Sequence, residues 1–180
     1  FSLVKTASPL LWSPDVNSWW CPRTNWKMDW WHLLQLLETS GIWEEKISYT
    51  EEDLNCLTKN IYFEARNQDI NGQIAVAQVT LNRLKDSRYP NTICRVIKQG
   101  YASGRRDCQF SWYCDGKSDH MTNRREKLIA GSIAKAVLEG ELVDITKGST
   151  HYHANYVRPY WSSSLIKIST IGDHIFYRWD

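Results

Sequence analysis

The side chain best placed for chemistry is Glu64. Thr50 precedes three acids, Glu51, Glu52 and Asp53. This is a helix start, in which a hydroxyl and carboxylates meet the unpaired N–H groups of the first turn. Leu54, Leu57, Thr58, Ile61 and Ala65 then recur at helical spacing and form one apolar stripe. Glu64 falls along the edge of that stripe, near the helix end. A carboxyl at such a margin is partly desolvated, which penalises its charged form and raises its pKa. A glutamic acid still protonated near neutral pH can give its proton to a glycosidic oxygen and then serve as base. The plainer reading is a solvated carboxylate paired with Arg66 or Lys59. Glycosidases ordinarily use two carboxylates. Asp69, Asp107, Asp115 and Asp119 are the neighbouring acids, and spacing singles out none of them. One carboxylate suffices if the sugar's own 6-hydroxyl is the nucleophile.

His151 and His153 form a second constellation. On a strand both imidazoles face one way, which makes half a zinc site. That raises a rival class, a zinc-dependent hydrolase of peptide cross-links. Two histidines alone are a weak metal signal. Only His32, His120 and His174 remain to complete a site, and no His-x6-Asp segment precedes the pair. Hydrogen bonding that orients loops or sugars is the plainer role. Ser111 or Cys108 could act as a nucleophile in principle. However, the sequence has no Gly-x-Ser-x-Gly elbow, and nothing pairs a cysteine with a base. It has no phosphate-binding glycine motif either. The segment Cys108-Gln109-Phe110-Ser111-Trp112-Tyr113-Cys114 suits a saccharide groove, because flat aromatics stack on sugar faces and amides bond acetamido groups. Core packing explains the same aromatics equally well.

Several elements must hold these residues. Residues 67–72 read as a turn. Residues 73–85 are apolar nearly all round, the mark of a helix buried in mid-domain. Residues 87–91 end it, residues 92–99 form a short helix, and residues 100–120 are loop-like. Asn123 and Glu126 make a capping box for a helix with an Ile129, Ile133, Ala136 and Val137 stripe, which Gly140 ends. The tail holds short mixed segments that fit strands or loops. Residues 1–49 read as an irregular aromatic-rich arm packed on a domain of residues 50–180. Seven of the ten tryptophans lie in this arm. Residues 27–38 fit an amphipathic helix, with Gly41 as its stop. A sugar-stacking or membrane-interface surface is the alternative role for the arm.

With 180 residues, 42% hydrophobic and 23% charged, the chain can bury a globular core. A net charge of +2 is far from the footprint of a nucleic-acid binder. No apolar run is long enough to span a membrane. Phe1 in place of Met reads as a processed or trimmed chain. The five cysteines include no CxxC pair. Cys94, Cys108 and Cys114 are close enough for one disulfide, and buried free thiols are the alternative.

The stretch IYFEARNQDINGQIAVAQVTLNRLKDSRYPNTICRVIKQG resembles the start of the cell-wall hydrolase family typified by spore cortex-lytic enzymes. CQFSWYCDG, THYHANYVRPYW and IGDHIFYR resemble its later blocks, in the family's order, so the resemblance spans residues 54–178. It implies a mainly α (α+β) fold, a lysozyme-like helical domain with a small strand-bearing lobe. It also implies lytic transglycosylase-type cleavage of the peptidoglycan glycan strand between N-acetylmuramic acid and N-acetylglucosamine, without a cofactor or metal. The family's catalytic glutamate precedes Ala-Arg, which is Glu64 here. Gln109, Ser111, Trp112, His151, Tyr152, His153 and Asn155 are then expected at the groove, with Tyr152 a candidate stabiliser of an oxocarbenium-like state. The expected setting is a monomer acting on the bacterial cell wall, from the periplasm, outside the cell or a virion. A phage lysis or entry enzyme and a bacterial autolysin both fit. The alternatives are the cross-link endopeptidase and a non-catalytic glycan-binding module. One departure stands out. Where the family continues Gly-Glu after Glu-Ala-Arg, this chain has Asn67-Gln68, and loss of that second acid favours the water-free route.

Overall fold

The computed structural model describes residues 46–100 and 108–180, together with the backbone of three short strands before them. The chain divides into two units between Trp43 and Glu44. In the first unit, β1 (Leu11–Ser13), β2 (Ser18–Cys21) and β3 (Trp26–Asp29) pair antiparallel in that order. Trp12 lies opposite Trp19, and Trp20 opposite Lys27. The helix expected over residues 27–38 is therefore replaced at its start by β3. A short apolar run fits either period, and here pairing with β2 decides. Residues 30–38, and the packing expected of the arm, lie outside the described residues.

The second unit is mainly helical: α1 (Glu51–Ala65), α2 (Ile70–Lys85), α3 (Ile93–Ile97) and α4 (Arg124–Leu138). The Thr50 hydroxyl accepts from the Asp53 N–H while the Asp53 carboxylate accepts from the Thr50 N–H, closing a capping box. Asn123 caps α4 by accepting from the N–H groups of Arg125 and Glu126. Leu57, Ile61 and Ala65 of α1 are wholly buried against α2, α3 and α4. Burial of a Leu or Ile side chain contributes about 1.5–3 kcal/mol.

Two disulfides brace this unit. Cys56–Cys94 joins α1 to α3, and Cys108–Cys114 closes the loop between α3 and α4. The second pair falls within the set proposed from sequence. The first corrects that reading, because packing of α3 on α1 brings together residues 38 apart.

A three-stranded antiparallel sheet completes the unit: β4 (His151–Ala154), β5 (Ile166–Ile171) and β6 (His174–Arg178), in the order β4-β6-β5. Phe176 of β6 packs with Ala75 and Val79 of α2, and Tyr152 of β4 packs beside it. Side chains on a strand alternate between faces. Tyr152 and Phe176 thus face α2, whereas His151 and His153 turn to the other side, against Trp161.

The interior face of α2 is not purely apolar. Gln78 donates to the Val143 carbonyl and accepts from the Ile145 N–H. Asn82 donates to Asp144, Thr146 and the Ser149 carbonyl. These bonds fix the segment that leads into β4. No helix among the described residues is long and apolar enough to cross a membrane.

Candidate active site

Glu64 stands in the last turn of α1, on the wall of a cleft of about 540 Å³. The opposite wall comes from the Cys108–Cys114 loop and the segment after it, with Ser111, Trp112, Asp115, Asp119 and His120. Trp112 is held from two sides. Its indole N–H donates to Asn60 Oδ1 at 3.0 Å, and its ring stacks on Phe63 at 4.9 Å. Asn60 also donates to the Thr80 hydroxyl, so one buried amide ties α1, α2 and this loop together.

The Tyr152 hydroxyl donates to Glu64 Oε2 at 2.9 Å. Burial pushes the Glu64 carboxyl above the usual carboxylate range, while the Tyr152 bond and the Arg83 charge pull it partly back. Burial and the neighbouring Glu64 raise the Tyr152 hydroxyl well above its ordinary value, which keeps it a donor. Tyr152 occupies one oxygen of Glu64 and leaves the other to carry the exchangeable proton. A cleft-facing carboxyl poised in this way can act as a general acid.

The residues proposed from sequence do not all meet here. Glu64, Ser111 and Trp112 line the cleft, and Tyr152 touches Glu64 from behind. Gln109 is exposed beside the loop, and its backbone N–H bonds the Gln99 carbonyl. Asn155 is exposed, with its backbone N–H on the Asp173 carbonyl. His151 lies among Tyr89, Trp161 and Trp179, where burial and the nearby Arg83 lower its pKa to about 4. His153 has Nδ1 at the Ala154 carbonyl and Nε2 at the Tyr177 hydroxyl. Neither ring nitrogen of His153 is left for a cation, so the HxH pair does not fit a metal centre. The one cluster of potential metal ligands among the described residues is Glu52, Cys56 and Cys94, whose sulfurs form a disulfide.

Of the neighbouring acids, Asp115 and Asp119 are on the cleft, Asp69 caps α2, and Asp107 lies outside the described residues. Gln68, where the resemblance implies an acid, has a structural task. Its amide donates to Asp173 Oδ2 at 3.1 Å and accepts from the Asp173 N–H at 3.0 Å. It clips the α1–α2 turn to the β5–β6 hairpin. The hairpin residue Gly172 has φ +55, where any side chain is strained, and a Cβ there would meet Gln68 Oε1 at 2.6 Å and push the amide off Asp173. Gln68→Glu removes the donor and sets two carboxylates together. The expected result is a loss of about 0.5–1 kcal/mol at this half-buried position, read as a urea midpoint that falls below the wild type's by more at neutral pH than in acid.

Sequence reasoning missed Arg83 and Asn60. The sequence singles out neither: Arg83 falls inside the run that is apolar nearly all round, and Asn60 stands beside Ile61 of the apolar stripe.

Comparison with known proteins identifies the family. The Cell Wall Hydrolase family model matches residues 67–177, beginning just past Glu64. The spore cortex-lytic enzyme of Halalkalibacterium halodurans is 32% identical over 132 residues, covering 71% of this chain and 35% of that protein. The spore cortex-lytic enzyme of Bacillus subtilis is 39% identical over 130 residues, covering 71% of this chain and 38% of that protein. This chain therefore spans less than half the length of the curated relatives it matches. Among solved structures, the catalytic domain of the germination-specific lytic transglycosylase SleB from Bacillus anthracis superposes with a TM-score of 0.56 at 27% identity, covering 73% of this chain and 98% of that one. The catalytic domain of the Bacillus cereus SleB protein gives 0.56 at 25% identity, covering 75% of this chain and 98% of that one. With the family's model spanning residues 67–177 and the fold shared with two of its catalytic domains, this chain belongs to the cell wall hydrolase family.

Proposed function

We propose that this chain is a peptidoglycan lytic transglycosylase that cuts the glycan strand between N-acetylmuramic acid and N-acetylglucosamine, with Glu64 as its single acid and base. The observation that carries the reading is the partly buried Glu64 carboxyl on a cleft wall, with one oxygen held by Tyr152. Glu64 gives its proton to the glycosidic oxygen as the bond to C1 breaks. The resulting carboxylate then takes the proton of the muramic 6-hydroxyl as O6 bonds to C1. The product is a 1,6-anhydro end, and Glu64 is protonated again. No water enters and no second carboxylate is needed, in keeping with the amide of Gln68 where the resemblance implies an acid.

Ser111 is exposed at the cleft and offers its hydroxyl to the sugar, while the buried Trp112, stacked on Phe63, shapes the wall behind it. The enzyme acts on the bacterial wall as a phage lysis or entry enzyme or as an autolysin. Mass spectrometry of digested sacculi tests the reaction. Anhydro-muramic ends are expected, whereas reducing muramic ends would assign hydrolysis and new peptide termini would assign an endopeptidase.

A pH profile tests the Tyr152 contact. Its hydrogen bond lowers the Glu64 pKa, so Tyr152→Phe raises it. The acid then stays protonated to higher pH, and the alkaline limb of the lysis rate moves upward. The rate at the optimum is expected to fall about tenfold, equivalent to about 1.4 kcal/mol.

A further inference from the structure

Arg83 is only 2% exposed, and no carboxylate among the described residues forms an ion pair with it. A buried cation without an ion pair is costly to stability. Two of its contacts reach the segments that build the cleft. Nε donates to the Thr150 carbonyl at 2.7 Å, two residues before Tyr152. The guanidinium lies 5.1 Å from the ring centre of Phe110, which precedes Ser111 and Trp112, and 5.4 Å from that of Tyr89. Nη1 is buried with no hydrogen-bond partner. One side chain of α2 thus braces both segments that build the site, and it keeps an uncompensated charge there.

We propose that Arg83 is a positioning residue for the Glu64 acid, fixing the 108–114 loop and β4 against α2 and balancing the carboxylate that forms once the proton has left. This rests on the reading of Glu64 given above. The titratable groups around it are Glu64 from α1, Tyr152 and His151 from β4, and Tyr89 from the turn after α2. Arg88 and Asp86 lie beyond them and act on His151. Arg66, Asp115, Lys117, Asp119 and His120 line the cleft itself. Of the groups that resolve an effect on Glu64, Arg83 is the cation, and its charge favours ionisation.

The test compares Arg83→Lys, Arg83→Gln and Arg83→Met on purified sacculi across pH, with thermal melts and a Glu64→Gln control. Arg83→Lys keeps the charge, so it is expected to lose no more than about tenfold and to leave the alkaline limb in place. Arg83→Gln and Arg83→Met are expected to lose on the order of 100-fold while folded, with the alkaline limb moved to higher pH. A folded neutral variant with the wild-type rate and profile overturns the proposal. If neither neutral variant folds, Arg83→Lys decides alone: a displaced limb or a loss beyond about 100-fold overturns it, and an unmoved limb supports it. Normal lysis by Glu64→Gln would instead overturn the reading of the site itself, whatever the Arg83 variants do.

Discussion

Glu64→Gln is expected to lower lysis of sacculi by on the order of 1000-fold, within the range that general acid–base groups contribute. The amide keeps the shape of the side chain and an oxygen to accept from Tyr152, but it has no proton to give. Binding to sacculi is expected to persist, because the substitution leaves the rest of the cleft wall unchanged. A variant that still lysed at the wild-type rate would rule out Glu64 as the acid. The same substitution carries a second, opposite effect. Burial holds the folded-state pKa of Glu64 above its ordinary value. The protonated form therefore suits the fold, and stability is lost as pH rises through the folded pKa, at about 1.4 kcal/mol for each unit of displacement. Glutamine never ionises. The variant is thus expected to melt above the wild type at about pH 8, with a smaller difference at about pH 5. Activity and stability then move in opposite directions, as they do where a fold tolerates strain for chemistry.

Phe176→Ala is expected to cost about 3–5 kcal/mol, the range for removing a buried aromatic. Phe176 is wholly buried, with Ala75 and Val79 of α2 around it and the Tyr152 ring at 5.6 Å. Such a loss is a large part of the stability of an ordinary domain. It is read from urea unfolding followed by circular dichroism. Because Phe176 also backs Tyr152, activity per folded molecule is expected to fall as well. A variant as stable as the wild type would show that the sheet is not anchored through this ring.

Local signals in the sequence foretold the local parts of this structure. The Thr50 and Asn123 caps are where hydroxyl and amide spacing put them, although the Asn123 N–H donates to the Tyr62 hydroxyl and not to Glu126, and the apolar stripe of α1 leaves Glu64 on its margin. Strand alternation correctly sets His151 and His153 on one face, yet the same rule sends the intervening residue to Glu64. Two histidines drew the eye, and the tyrosine between them reaches the acid. What sequence reasoning lacked was long-range contact. Cys56 meets Cys94 only because α3 packs on α1, and Gln68 meets Asp173 only because a hairpin folds over the α1–α2 turn. Nothing local singles out Arg83 within the run 73–85, since its partners lie on the far-off segments at 110 and 150. Periodicity reports which face is buried and is silent on what the face is buried against.

Helix α1 ends at Ala65, one residue past the acid, with no basic side chain in its last turn, and Arg66 just beyond lies over the Tyr62 ring at 4.9 Å. Aligned peptide dipoles leave partial negative charge at this end of a helix, enough to shift a nearby ion by about 0.3–1 kcal/mol. A carboxylate formed there is disfavoured by the main chain itself, in the same sense as by burial. That share of the acid's proton affinity belongs to no side chain, so scanning by substitution leaves it in place. Dissolved salt is the variable that weakens it.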